Sequence, residues 1–280
     1  MHKALVNKII RFSSVDGPGN RTVIFLQGCN FNCKYCHNPE TIGNCKHCGI
    51  CIPYCKAGAI TLKDGRMQYD ISKCVHCDEC FHHCPYSSSP KTISMSAEQV
   101  MDEVRKNMPF IRGITVSGGE CTRWRDFLVD LLQLAKNEGL TTMLDSNGTY
   151  DFSQDEELLE VMDSVMLDIK AYGKEEHRVV TEQDNEVVLS NMEFLASIGK
   201  LFEVRTVVVP ELFDAEDTIT QVAKKLKEYH SIQPIRYKII KYRPIGVRKE
   251  YADYSVPSDE WMIKLSEIAK LNGFTDVIII

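Results

Sequence analysis

Short, almost wholly apolar runs alternate along the chain with stretches in which apolar residues return every three to four positions. The first kind reads as strands buried on both faces. They fall at residues 22–27, 114–117, 141–145, 164–168, 202–208 and 236–240, with 277–280 as a further candidate. The second kind reads as helices. Ser96 with Gln99 forms a capping box ahead of Val100, Met101, Val104 and Met108 on one face. A second helix carries Trp124, Phe127, Leu128, Leu131, Leu132 and Ala135 and stops near Gly139. Ser153 with Glu156 reads as another capping box. Asp214 is placed to cap a helix carrying Ile219, Val222, Ala223 and Leu226, and Ser258 one carrying Trp261, Leu265 and Ile268. Repeated strand–helix units of this length imply an α/β fold with a parallel sheet and right-handed crossovers. Six or seven units are too few for a closed eight-stranded barrel, so an open, partial barrel is expected.

The rhythm breaks between about Thr41 and Pro90, where eight cysteines replace helical periodicity. This stretch reads as an insertion between the first strand and its helix. The expected division is a main domain of residues 1–40 and 91–280 with an insertion at 41–90.

Composition narrows the class. A chain of 280 residues, 44% hydrophobic, suits one large domain with a small insertion. A formal net charge of −6 speaks against a nucleic-acid partner. No segment approaches the ~18 apolar residues of a membrane helix. The first fourteen residues, with Lys3, Lys8 and Arg11, lack the continuous apolar stretch of a secretory signal. The expectation is a cytoplasmic protein with no membrane partner. Against that background twelve cysteines are anomalous, and eleven lie between Cys29 and Cys84. The cytoplasm keeps thiols reduced, so cysteines at short, regular spacing read as metal ligands.

Cys29-Asn-Phe-Asn-Cys33-Lys-Tyr-Cys36 lies in the loop after the first expected strand. Three thiolates on a tight loop can hold three irons of a cubane cluster, leaving the fourth iron to a non-protein ligand. The amino and carboxylate groups of S-adenosylmethionine (SAM) can chelate such an iron, and the spacing resembles the radical SAM signature. The competing reading is a zinc site of three cysteines with His37; structural zinc, however, normally takes four protein ligands in paired motifs. Two near-copies of a second pattern follow: Cys45, Cys48, Cys51 and Cys55, then Cys74, Cys77, Cys80 and Cys84 before Pro85. They resemble the bacterial two-cluster ferredoxin, in which each run gives its last cysteine to the other cluster. That resemblance implies one 4Fe–4S cluster on Cys45, Cys48, Cys51 and Cys84 and another on Cys74, Cys77, Cys80 and Cys55. Lys56 departs from the proline usual after the fourth cysteine. A pair of zinc knuckles would leave the fourfold repeat on each side unexplained. Cys121 stands apart and reads as a small buried thiol.

Polar groups gather where the expected strands end, the usual active-site face of parallel α/β folds. Gly118-Gly119-Glu120 follows the second strand, Asp145-Ser146-Asn147-Gly148 the third and Asp168-Ile169-Lys170 the fourth; Arg205 lies in the fifth and Tyr242-Arg243 follows the sixth. Two glycines allow close backbone approach to a ligand, and a carboxylate beside them can take an ammonium. Val15-Asp16-Gly17-Pro18-Gly19, Tyr35-Cys36-His37-Asn38-Pro39, the 145–148 turn, Met166–Lys170 and Val204–Pro210 resemble the glycyl-radical-enzyme activating enzymes of the radical SAM superfamily, nearest in kind to the YjjW-type activases. The resemblance spans nearly the whole chain. It implies a partial (β/α)6 barrel, a catalytic cluster on Cys29, Cys33 and Cys36, and SAM cleavage. It also implies a glycyl radical enzyme as protein substrate and a flavodoxin or ferredoxin-type electron donor. By position, Gly118, Gly119, Glu120, Lys170 and Arg205 would contact SAM, with Asp168 beside it and Tyr35, Asp145 and Ser146 in the same set. Asp145 with Met166 and Asp168 resembles a monovalent-cation site. Where the short activases have Tyr-His, this chain has Tyr242-Arg243. The rivals are a radical SAM enzyme acting on a small molecule or a peptide, and an electron carrier without an enzyme.

Overall fold

The computed structural model describes residues 2–280. The chain forms two compact units, Met1–Asn30 with Asn38–Leu134, and Phe31–His37 with Ala135–Ile280. Segment 41–90 is part of the first unit.

The first unit holds β1 (Lys3–Ser13), β2 (Arg21–Leu26), β3 (Ile60–Lys63), β4 (Arg66–Tyr69), helix α1 (Glu79–His82), β5 (Ile93–Ser96), α2 (Ala97–Arg105) and β6 (Gly113–Gly118). Helix α3 (Arg125–Asn137) follows. Strands β6, β2, β1 and β5 lie side by side in that order. β2 and β6 run parallel, pairing Arg21 with Gly113 through Leu26 with Gly118. β1 is antiparallel to both its neighbours. The all-parallel expectation therefore fails at this edge, where β1 and β5 were not expected as strands. The reason is legible in β1 itself: Lys3, Lys8 and Arg11 interrupt its apolar residues, and it is half-exposed rather than buried on both faces. The Ser96–Gln99 capping box is present in both directions at the start of α2.

Segment 41–90 has little regular structure. Its two cysteine runs flank the β3–β4 hairpin, whose turn uses Asp64 and Gly65 with φ of +49° and +71°. Asp-Gly in such a turn supplies the left-handed backbone that matches strand twist. Cys51, Ile60 and Cys80 form a small buried cluster, with Cys55 and Met67 against it.

The second unit is regularly α/β: β7 (Thr141–Ser146), α4 (Glu156–Val161), β8 (Ser164–Asp168), α5 (Lys174–Thr181), α6 (Glu186–Ser197), β9 (Leu201–Val208), α7 (Ala215–Leu226), β10 (Arg236–Lys241), α8 (Asp259–Leu271) and β11 (Asp276–Ile279). β7 to β11 lie in sequence order, every neighbouring pair parallel. Asp214 and Ser258 cap α7 and α8 as expected. The expected Ser153–Glu156 box is corrected: Asp155 caps α4, accepting from the Leu158 N–H, and Ser153 sits in a preceding 3-10 turn capped by Asp151. An aspartate nearer the helix start outcompetes the serine for the free N–H groups. Among the described residues no helix is long and apolar enough to cross a membrane.

Candidate functional site

The three-cysteine loop leaves the end of β2. In the first unit the Gly28 and Cys29 N–H groups donate to the carbonyls of Thr41 and Ile42, each at 2.8 Å. In the second, the N–H groups of Asn32 and Lys34 donate to Thr181 and Val180 carbonyls at 3.0 Å. Arg248 Nη2 donates to the carbonyls of Asn32 at 3.2 Å and Cys33 at 3.1 Å. The Cys36 N–H closes a tight turn onto the Cys33 carbonyl at 3.2 Å. A loop whose polar backbone groups are satisfied on such partners holds its thiols in fixed directions. Arg248 was not foreseen; it lies in a loop and belongs to no spacing motif. His37 Nε2 meets the Arg243 carbonyl at 3.0 Å, so Arg243 reaches this loop through its backbone. Burial lowers the His37 pKa, outweighing that hydrogen bond, and keeps the ring neutral near pH 7.

Tyr35, between Cys33 and Cys36, is 1% exposed, and its hydroxyl has no hydrogen-bond partner. Buried hydroxyls are normally satisfied, so this one fits a site completed by a ligand. The Lys170 ammonium lies 5.8 Å from the Tyr35 ring centre and 2.7 Å from Asp168 Oδ2. Burial alone would discharge this lysine; Asp168 reverses the balance and raises its pKa well above the ordinary value. β8 ends at Asp168, which puts the acid and the lysine two residues on at one strand end.

Arg205 lies in β9, nearly fully buried. Its guanidinium meets Asp145 Oδ1 at 3.0 Å, Glu203 Oε1 at 2.5 Å and Met166 Sδ at 2.7 Å. Burial opposes the charge, but Asp145 and then Glu203 raise the pKa, so Arg205 stays cationic. Asp145 and Met166, expected at a monovalent cation, thus face the Arg205 guanidinium, while Asp168 turns to Lys170. Glu203 was missed by sequence reading. It is 1% exposed and also meets Lys238 Nζ at 3.1 Å; β9 and β10 place Lys238 directly opposite Arg205. Ser146 Oγ accepts the Gly148 N–H at 3.0 Å, shaping the turn after β7.

In the first unit, Gly118 adopts φ +128°, and a Cβ there would fall 2.1 Å from the Leu26 carbonyl oxygen. At Gly119 a Cβ would fall 2.3 Å from the Gly28 oxygen and 2.8 Å from that of Thr41. These glycines are required by backbone packed against the start of the cysteine loop, a reason other than the ligand approach expected. Glu120 is 1% exposed and caps the following turn, its Oε1 accepting from Thr122 N at 3.1 Å and Thr122 Oγ1 at 2.6 Å. Cys121 is fully buried, in keeping with a packing thiol.

Segment 41–90 contains two small cavities, each ringed by four cysteines. Cys45, Cys48 and Cys51 line the first together with Cys84; Cys74, Cys77 and Cys80 line the second together with Cys55. Each repeat sends its last cysteine to the other's cavity. The repeats also share backbone form. His47 and His76 take φ of +54° and +55°, and Gly49 and Asp78 take +77° and +60°. In each, the N–H of the histidine points to the first cysteine's Sγ at 3.4 Å. Four thiols around a pocket, with backbone N–H donors to sulfur, are the donor set a cubane cluster takes. Burial pushes the Cys51 and Cys80 thiols up to about 11, so metal binding there would displace protons. Among the described residues no three Cys, His, Asp or Glu side chains converge as a single metal ion requires.

The sequence model of the Radical SAM superfamily matches residues 23–223, well over half of the chain. A Haemophilus influenzae protein named as a candidate glycyl-radical enzyme activating enzyme is 32% identical over 98% of this chain and 96% of its own. The pyruvate formate-lyase-activating enzyme of Streptococcus mutans is 32% identical over 86% of this chain and 78% of its own. Among solved structures, QueE from Escherichia coli superposes with a TM-score of 0.54 at 13% identity, covering 99% of this chain and 94% of its own. That last likeness concerns the fold alone.

Proposed function

The chain belongs to the radical SAM superfamily, and from that premise we propose that it is a glycyl-radical-enzyme activating enzyme of the kind with two accessory clusters. The proposed partial (β/α)6 barrel carries Cys29, Cys33 and Cys36 as ligands of the catalytic cluster. The family's chemistry is delivery of one electron to the sulfonium of SAM, giving methionine and a 5′-deoxyadenosyl radical that takes a hydrogen atom from a backbone glycine of a partner enzyme. The observation that carries the site reading is the buried, unpartnered Tyr35 hydroxyl beside the charged Lys170, both in the unit that holds Cys33 and Cys36.

The chain's own groups supply position and charge. Lys170, held cationic by Asp168, is an ammonium at a strand end that suits a carboxylate ligand. Arg205 is fixed by Asp145 and Glu203, so its remaining donor capacity is pre-oriented. Arg248 keeps the Cys33 carbonyl in place. No side-chain acid or base is required, because the hydrogen moves as an atom. The ferredoxin-like reading of residues 41–90 rests on the crossed cysteine sets: one cluster on Cys45, Cys48, Cys51 and Cys84, another on Cys74, Cys77, Cys80 and Cys55. A flavodoxin or ferredoxin-type donor would feed them, in the cytoplasm.

The test is anaerobic incubation with SAM, dithionite and a candidate glycyl radical enzyme from the same organism. A doublet EPR signal on the partner chain, with 5′-deoxyadenosine formed alongside, is expected; exchange of the partner's loop glycine for alanine should erase it. Stoichiometric modification of a free small molecule, with no partner protein present, would overturn the reading.

A further inference from the structure

The two cysteine cavities have matching thiol sets but different charged surroundings. The cavity of Cys74, Cys77, Cys80 and Cys55 is also lined by Lys91, which lies just past the second cysteine run. Its side chain is 14% exposed, and its ammonium lies 2.5 Å from Asp78 Oδ1. Asp78 is 59% exposed and does not line the cavity. It occupies the left-handed position that Gly49 holds in the first repeat, so the first repeat has no acid there. The lining of the other cavity includes one charged residue, Lys46, which is solvent-exposed.

These differences decide which charge is felt. A charge in water is weakened by the high dielectric and screened over a Debye length of about 8–10 Å, whereas a largely buried one acts through a lower effective dielectric. Lys46 therefore contributes little at its cavity. Lys91 contributes more, and its partner Asp78 stands on the water side, where its opposing field is weakened. A cubane on four thiolates is an anion that gains a further negative charge on one-electron reduction, so a nearby fixed cation favours the reduced form. Resting on the cluster assignment above, we infer that Lys91 raises the reduction potential of the Cys55/Cys74/Cys77/Cys80 cluster selectively, with Asp78 as the positioning residue that holds and partly offsets its charge. The matched repeats would then differ in potential through one lysine outside either cysteine motif.

The experiment uses the full chain carrying Cys29→Ala, Cys33→Ala and Cys36→Ala, anaerobically reconstituted, so that only the accessory clusters are observed. Iron should amount to about eight atoms per chain, two cubanes. A redox titration followed by visible absorption and EPR should resolve two one-electron steps. Lys91→Met should move one midpoint to lower potential and leave the other in place. Asp78→Asn, which keeps a residue tolerant of the left-handed backbone, should move the same midpoint to higher potential. Lys91→Arg should stay near the parent value and rescue the step if Lys91→Met fails to fold. Opposite shifts of one step are what a merely structural role would not produce. Eight irons with both midpoints unmoved, or moved together, overturns the role of Lys91. Absence of accessory iron from the parent overturns the cluster assignment beneath it.

Discussion

Tyr54 and His83 stack face to face, ring centres 3.5 Å apart with 13° between planes, and each is the residue immediately before the fourth cysteine of its repeat. The stack lies where the chain delivers Cys55 and Cys84 to opposite cavities. It ties the two crossing points to each other. A double-mutant cycle on Tyr54→Leu and His83→Leu should give a coupling of about 0.5–1.5 kcal/mol, the usual worth of such a ring pair beyond area burial. Additive single effects in urea denaturation would show that the rings merely sit near one another.

The crossing makes a prediction about ligand loss that sequence order alone would reverse. Cys84→Ser should impair the cluster of the first repeat, and Cys55→Ser that of the second. With Lys91 beside only one cavity, the two lesions should remove different steps of the redox titration. If both substitutions removed the same step, or if Cys84→Ser spared the first repeat's cluster, the crossed assignment would be wrong.

Why some of this was readable and some was not comes down to what a residue's neighbours must be. β8 was expected at 164–168 and is found there, because Val165, Met166 and Leu167 are apolar in a run and both faces are buried. β1 escaped because its charged residues sit on a half-exposed edge. The Asp64-Gly65 hairpin carried a legible turn signal that the cysteine spacing overshadowed. Glu203 was invisible for a different reason: a buried acid in a strand makes sense only with cations against it, here Arg205, Lys238 and Arg236, and the last two are brought there by strand pairing. Glu120 was read as a ligand group, yet its cap on Thr122 needs only the local turn.

The cap at Glu120 and its proposed contact with SAM can be tested separately. Glu120→Ala should lower stability by about 1 kcal/mol, the usual cost of a lost cap, and also weaken SAM binding. Glu120→Gln keeps an oxygen for the Thr122 N–H and hydroxyl, so stability should stay near the parent while SAM affinity falls. Thermal melts with isothermal titration of SAM distinguish them. Unchanged affinity in Glu120→Gln would leave Glu120 a capping residue alone.

Arg205 should be far more sensitive than Lys238. Arg205→Met removes the guanidinium from both Asp145 and the buried Glu203, and breaking a buried pair from one side costs about 3–5 kcal/mol. Lys238→Met leaves Glu203 still paired with Arg205 and should cost clearly less. Chemical denaturation of the two variants ranks them; equal losses would mean that Arg205, Lys238, Asp145 and Glu203 act as one indivisible network.

His177 should make stability fall on mild acidification. Its ring is fully buried, packed edge-on against Phe31 at 5.2 Å. Nδ1 lies 2.8 Å from the Gln183 carbonyl, which can only accept, so Nδ1 carries the hydrogen. In the neutral ring Nε2 is then bare, and it is buried with no hydrogen-bond partner. Protonating it would place an uncompensated charge there, and burial accordingly lowers the His177 pKa despite the Gln183 hydrogen bond. The unfolded chain takes up the proton near the ordinary value of about 6.5, while the folded chain resists until lower pH. Between those two values the unfolded state binds more protons, so stability is complete above the unfolded value and is lost as pH falls below it. His37 and His230 are lowered by burial in the same direction and add to the slope. Urea midpoints measured from pH 7.5 down to 5 should therefore decline for the parent. His177→Asn, which keeps a donor for the Gln183 carbonyl and does not titrate, should decline less steeply. An identical slope in the two proteins would remove His177 as a source of the acid sensitivity.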